Sequence, residues 1–246
     1  MASLSDIRER LEPLKQEQLE SGKQRFLFRG QSKIYPNINS TFARIEEGDR
    51  VQAGQAYTTF RYAKNICSGL QGYAIETLDA LAVLQHYGWP TPLIDLTGTV
   101  EVAVFFALLN STPGQTAVIY KIDCEALPKD SIVIDHDFMT HELDGGALRH
   151  RWLRQDGFAI APLEWMQADK SKQFDLMAPS FAAALEQFSF TTSDTDHPKI
   201  ADILCVKNDP IPQHLQNLIR IFCRSQFGDD LCDKLSVAIN KMHDEN

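Results

Sequence analysis

Three stretches hold residue types that could do chemistry. In "FLFRGQSKIYP", residues 26–36, an apolar run climbs into Arg29 and Gly30 and then turns polar. A guanidinium at a strand end can make a bidentate, charge-assisted contact to a phosphate or ribose. A glycine beside it lets ligand and backbone approach closely. A surface arginine, or one paired with a carboxylate, fits the same pattern. The second stretch, "LQHYGWPTPLIDLTGTVEVAVFFAL" over residues 84–108, places His86, Thr91, Asp95 and Thr97 inside an apolar region. A buried aspartate is costly unless hydrogen-bonded. Asp95 therefore reads either as an anchor for loop amides or as part of a ligand pocket. In the pocket reading, His86, Tyr87 and Thr97 surround a bound ring, with the aromatic stacking and the hydroxyl hydrogen-bonding. The third stretch, "RHRWLRQDGFAI" over residues 149–160, sets three arginines before a Gln-Asp-Gly-Phe turn. It reads as a solvated basic face or as a strand that starts with Gln155 facing the same cleft.

Standard catalytic motifs are missing. The sequence has no GxGxxG, P-loop, GxSxG or HExxH. His136 and His141 lie near Asp135, Asp137 and Glu142, but a strand-then-loop segment does not put them on one helical face, so no metal site is expected. Asp95 with Asp135 or Asp137 holding a divalent ion for phosphodiester hydrolysis is a third and weaker reading.

The elements that must position these groups follow from pattern. "SLSDIRERLEPLKQEQ" opens on cap residues with spaced apolar positions and predicts an N-terminal helix, with Pro13 able to bend or break it. "QRFLFRG" is a short strand, and "SKIYPNINSTFARI" is a loop leading into a helix. "AYTTFRYAKNICSGL" and "ETLDALAVLQHYG" read as helices, the second ended by Gly88. "TPLIDLT" is a buried strand and "TVEVAVFFALLN" a buried helix. "QTAVIYKID", "SIVIDHDF", a segment around Phe158–Ile160 and "HPKIADILCVKN" supply further strands. Two amphipathic helices, residues 211–228 and 229–242, close the chain. Strands and helices mix without regular βαβ alternation, which favours an α+β fold.

The 246-residue chain suits one domain and can bury a substantial core. Its net charge of −9 argues against loose, non-specific binding to nucleic acid but leaves room for a local basic cleft. Five cysteines, odd in number and without zinc or redox spacing, read as reduced thiols of a cytoplasmic protein. The N-terminus lacks the apolar core of a secretory signal, and no stretch approaches the roughly 20 apolar residues of a membrane span.

The three stretches, taken in order, resemble the FRG-domain family. Phe28-Arg29-Gly30 matches its (F/Y)RG tripeptide, and "STFAR" with Arg44 matches its Ser/Thr-x-x-Arg. Residues 84–108 match its QHYG-x-PT-R-LLDWT block and following helix, and "QDGFA" matches a later Q-x-G-x-F with Gln155, Gly157 and Phe158 one step compressed. Pro92 stands where the family has arginine and Leu96 where it has tryptophan, which leaves Arg29 and Arg44 as the cations available to a ligand. The family's block order is in turn similar to that of ADP-ribosyltransferases. That resemblance implies a mixed, mainly antiparallel sheet core with surrounding helices. It also implies a single FRG-type domain with an N-terminal helix over residues 1–24, a sheet core over 25–208 and C-terminal helices over 209–246.

By the same resemblance, NAD would be the substrate. Arg29, Thr97 and Gln155 would be the catalytic positions, and Arg29, Gly30, Arg44, His86, Tyr87, Thr91 and Asp95 would bind the dinucleotide. The side chains of Arg29 and Thr97 would converge on one pocket. Gln155 is neutral, so Asp156, Glu142 or Glu164 would supply any carboxylate. The acceptor would be a protein or nucleic acid, in the setting of a toxin with its antitoxin or of phage defence. The alternative is a catalytically inactive module that binds a nucleotide or a partner.

Overall fold

The computed structural model describes residues 2–45, 77–86, 89–109, 111–135 and 156–193. The chain divides into two compact units. One comprises Met1–Asn39, Ile94–Leu163 and Phe174–Val206, the other Ser40–Leu93, Glu164–Gln173 and Lys207–Asn246.

Among the described residues, the first unit is built on one six-stranded sheet. Its strands are β1 (Phe26–Gln31), β2 (Ile94–Thr97), β3 (Thr116–Asp123), β4 (Ser131–Asp135), β5 (Gly157–Pro162) and β6 (Leu185–Thr191). Their spatial order is β4-β5-β2-β1-β3-β6, and every neighbouring pair is antiparallel. The α+β class expected from the sequence is therefore the observed one. Strand β6 was not anticipated, although "LEQFSFT" alternates Phe188 and Phe190 with polar residues at the two-residue period of a half-buried strand.

Two helices cover one face of the sheet. Helix α1 (Leu4–Ser21) starts where the Ser3 hydroxyl accepts from the Asp6 amide while the Asp6 carboxylate accepts from the Ser3 amide, a reciprocal capping box. It runs through Pro13 and stops at Gly22, whose φ of 63° is a left-handed turn that glycine adopts without strain. Its buried residues Leu4, Ile7 and Leu11 lie at helical spacing.

The second covering helix spans Val100–Leu108; α2 is Thr77–His86 of the other unit, so this one is α3. It is apolar nearly all round and buries Val100, Val102, Ala103, Val104, Phe105, Ala107 and Leu108, as such a helix must. Leu4, Ile7 and Leu11 meet Val100, Ala103, Val104 and Leu108 over Phe26, Phe28, Ile119, Phe188 and Phe190 of the sheet. An ion pair from Arg8 to Glu101, at 2.9 Å, ties α1 to α3 across their exposed sides.

The opposite face carries Leu27, Ile94, Leu96, Val118, Tyr120, Ile122, Phe158 and Ile160. It is covered by irregular chain that brings in Ile38, Phe174, Leu176 and Phe181. The two faces therefore use alternate residues of each strand, Phe26 and Phe28 against Leu27 on β1. Next to this sheet, Arg25 donates to Asp123 at 2.9 Å and holds that carboxyl below its ordinary pKa. The neighbouring Cys124 thiol is pushed up to about 11, by burial first and by the Asp123 and Glu125 charges second.

In the second unit the Thr91 hydroxyl is fully buried. It donates to the Gln85 side-chain carbonyl and accepts from the Leu93 amide, while the Thr91 carbonyl accepts from the Phe42 amide. The expected helix over residues 56–70, the late strand over 197–208 and the C-terminal helices all lie outside the described residues. Among the described residues no helix is long and apolar enough to cross a membrane, and no group of His, Cys, Asp or Glu could hold a metal ion.

Candidate functional site

The three sequence stretches lead to three adjacent strands. Arg29 is on β1, Thr97 ends β2, and β5 begins at Gly157, two residues after Gln155. Sheet register draws them together: Thr97 pairs with Phe28 on one side and with Gly157 on the other. One transverse line through β1, β2 and β5 therefore passes within two residues of all three positions. Gln155 itself lies outside the described residues.

Strand pleating separates the side chains along that line. Directly paired residues share a face, so Thr97 is on the Phe28 face, with α1 and α3. Arg29 is one residue on and leaves the other face, where its direct partner on β3 is Tyr120. The shared pocket expected for the side chains of Arg29 and Thr97 is thus not formed between them, because a one-residue offset changes the face. The Thr97 hydroxyl accepts from the Thr99 amide at 3.1 Å and fixes the turn from β2 into α3.

Arg29 is half-buried and its guanidinium donates to the Asp95 carbonyl at 2.6 Å. That bond begins where the β1–β2 ladder ends, since Phe28–Thr97 is the registered pair between these strands. The Asp95 side chain is exposed, in contrast to the buried carboxylate expected from its apolar neighbours; β2 turns this one residue outward between Ile94 and Leu96. Gly30 has a packing reason. A Cβ there would lie 1.7 Å from the Ala103 carbonyl oxygen, so α3 crosses directly over it.

Tyr120 was not singled out from the sequence. It is fully buried, and its hydroxyl has no hydrogen-bond partner among the described residues. Burial raises the phenol's pKa and the nearby Arg29 charge pulls it back. The signal was present in "QTAVIYKID", where a phenol takes an inward position of an otherwise aliphatic strand.

On the other face, at the same end of the sheet, lies a cavity of about 380 Å³ whose lining includes Lys15, Lys23, Thr99, Asp135, Asp156 and Phe28. Asp156 has a φ of 45°, an uncommon conformation that aspartate tolerates better than most residues. Its carboxylate accepts from the Thr99 hydroxyl at 2.9 Å and its carbonyl accepts from the Gly98 amide. Of the carboxylates considered for the site, this one lies at the start of β5. Glu164 belongs to the second unit and bonds Gln167, and Glu142 lies outside the described residues.

The remaining candidates belong to the second unit. Arg44 is exposed and donates to the Thr41 hydroxyl at 3.3 Å. Thr91 is engaged as described, which makes it a structural hydroxyl there. His86 is the last residue of α2, and Tyr87 lies outside the described residues.

A family profile described as FRG domain matches residues 24–115. This chain carries an FRG domain. Its matched region contains β1, β2, α3 and hence Arg29, Gly30, Asp95 and Thr97. No curated protein and no solved structure matches the chain.

Proposed function

We propose that this FRG domain is an ADP-ribosyltransferase in fold and in chemistry, moving ADP-ribose from NAD to a macromolecular acceptor. The observation that carries the reading is the transverse line Phe28–Thr97–Gly157. It supports a site in which the arginine strand, the hydroxyl strand and the Gln155 strand meet at one end of the sheet.

In this reading Arg29 holds the pyrophosphate through its planar fork. The bond from the ribose C1′ to the nicotinamide nitrogen breaks, and nicotinamide leaves with the electron pair. The ribose cation that develops is captured by an acceptor nucleophile, which gives up its proton as the new bond forms. Clamping and electrostatic stabilisation supply the acceleration. The acceptor's proton passes to water, since Asp156, held by Thr99 at the start of β5, lines the cavity on the face opposite Arg29. The acceptor is a protein, or a nucleic acid bound in a local cleft, in keeping with the acidic balance of the chain. A role in a toxin pair or in phage defence is the biological setting we infer.

A second reading is favoured by two observations. The Thr97 hydroxyl is engaged by the Thr99 amide and faces away from Arg29, and the family's arginine is replaced by the buried Pro92. Both suit a module that binds a nucleotide without turning it over.

The test is transfer of label from NAD radiolabelled at the adenylate phosphate into a lysate, with nicotinamide release followed in parallel. The transferase reading expects both signals and a loss of about 100-fold in Arg29→Lys, which keeps the charge but not the fork. Binding of NAD without nicotinamide release would leave the module reading in its place.

A further inference from the structure

Arg29, Gln31 and Tyr120 form a polar group on one face of two central strands. Arg29 and Gln31 are two residues apart on β1 and share a face, and Tyr120 is the direct cross-strand partner of Arg29 on β3. Their neighbours on β1 and β3 on that face are apolar, Leu27, Val118 and Ile122, while on β6 Gln187 lies directly across from Tyr120 and bonds its own neighbour Ser189. Two atoms of the group are buried with no hydrogen-bond partner among the described residues, the Tyr120 hydroxyl and the Gln31 side-chain oxygen. Such atoms are rare in folded proteins, and each costs stability unless something else meets it.

The hydrogen-bonding capacity of the group is specific. The guanidinium donates, the phenol donates, and the Gln31 oxygen accepts. A ligand complementary to all three presents anionic oxygens together with a hydroxyl, the pairing found where a ribose carries a phosphate. We propose that Tyr120 and Gln31 are ligand-binding residues that, beside Arg29, receive a ribose phosphate of a nucleotide on this face of the sheet. This rests on the proposed transferase reading and deepens it: it assigns the adenylate–pyrophosphate part of the dinucleotide to the face opposite α1 and α3. Arg29 and Gln31 keep partial exposure while Tyr120 has none. The phenol therefore meets the ligand when these long side chains shift toward it.

The test is calorimetric titration of the full chain with ADP-ribose, which keeps both riboses and the pyrophosphate. Variants Tyr120→Phe and Gln31→Leu are compared at a temperature where each is folded. Each is expected to bind about tenfold more weakly. Because Tyr120→Phe deletes an unpartnered buried hydroxyl, its melting temperature is expected to be unchanged or raised. Affinities within twofold of the parent in both variants, or no ADP-ribose binding by the parent, would overturn the assignment. Nicotinamide release separates the two claims. Tyrosine-dependent binding without NAD turnover leaves this site standing and removes the transferase. Turnover with unchanged affinity in the variants does the reverse.

Discussion

Substituting Gly30 by alanine tests what holds the arginine strand in place. The added Cβ would lie 1.7 Å from the Ala103 carbonyl oxygen and 2.7 Å from the Ala107 nitrogen. Both atoms are helix backbone and cannot rotate away. Real Cβ contacts stay above 3.0 Å, so β1 and α3 must separate by about 1.3 Å. A gap of about 0.5–1 Å already forfeits roughly a quarter to a half of each dispersion contact. Val100, Val104 and Leu108 of α3 lie in that interface, and each contributes roughly 1.5–3 kcal/mol when fully buried. Their partial loss, with the strain of overpacking at about 1–3 kcal/mol, amounts to about 3–5 kcal/mol. Urea unfolding followed by far-UV circular dichroism should show that loss, and the melting temperature should fall by roughly 6–20 °C. A Gly30→Ala protein within about 0.5 kcal/mol of the parent that had lost only nucleotide binding would refute the packing account. It would return Gly30 to the ligand role expected from the sequence.

Two further substitutions probe the same end of the sheet. Asp156→Ala should cost about 2 kcal/mol, from the left-handed backbone and the lost Thr99 bond together; Asp156→Gly, which relieves the backbone, should cost less. Equal losses in urea titrations would show that the conformation contributes nothing. Asp123 should make the fold acid-sensitive. Its carboxyl is held below the ordinary value by Arg25, so the stability it contributes is present above the unfolded pKa of about 3.9 and is lost as pH falls through the folded value. The urea midpoint should therefore drop below about pH 4, and Asp123→Asn should flatten that drop. An unchanged pH slope in the variant would remove Asp123 as its source.

Local pattern carried much of the fold. Capping at Ser3 and Gly22, the apolar run of α3 and the alternation of β3 each follow from short-range chemistry, and each element formed where its pattern lies. Strand β6 was harder to read because its only apolar residues besides Leu185 are Phe188 and Phe190, and its polar side is exposed. The candidate site was legible in part. Motif order placed Arg29, Thr97 and the start of β5 in adjacent strands, but facing depends on register. Register is a long-range property, and here a one-residue offset between Phe28 and Arg29 sent the guanidinium and the Thr97 hydroxyl to opposite faces. Asp95 was misread for the same reason: its apolar neighbours fix the strand but not which way a single residue turns. Tyr120 gained its interest only from the pairing with Arg29, 91 positions away in sequence and directly opposite in the sheet.

The central claim is that Arg29 anchors a dinucleotide on the Tyr120 face. A crystal structure with a hydrolysis-resistant NAD analogue tests it most directly. The account predicts pyrophosphate oxygens within about 3 Å of the Arg29 guanidinium, with a ribose beside Tyr120 and Gln31. An analogue bound instead in the Thr99–Asp156 cavity, with Arg29 still on the Asp95 carbonyl, would contradict it.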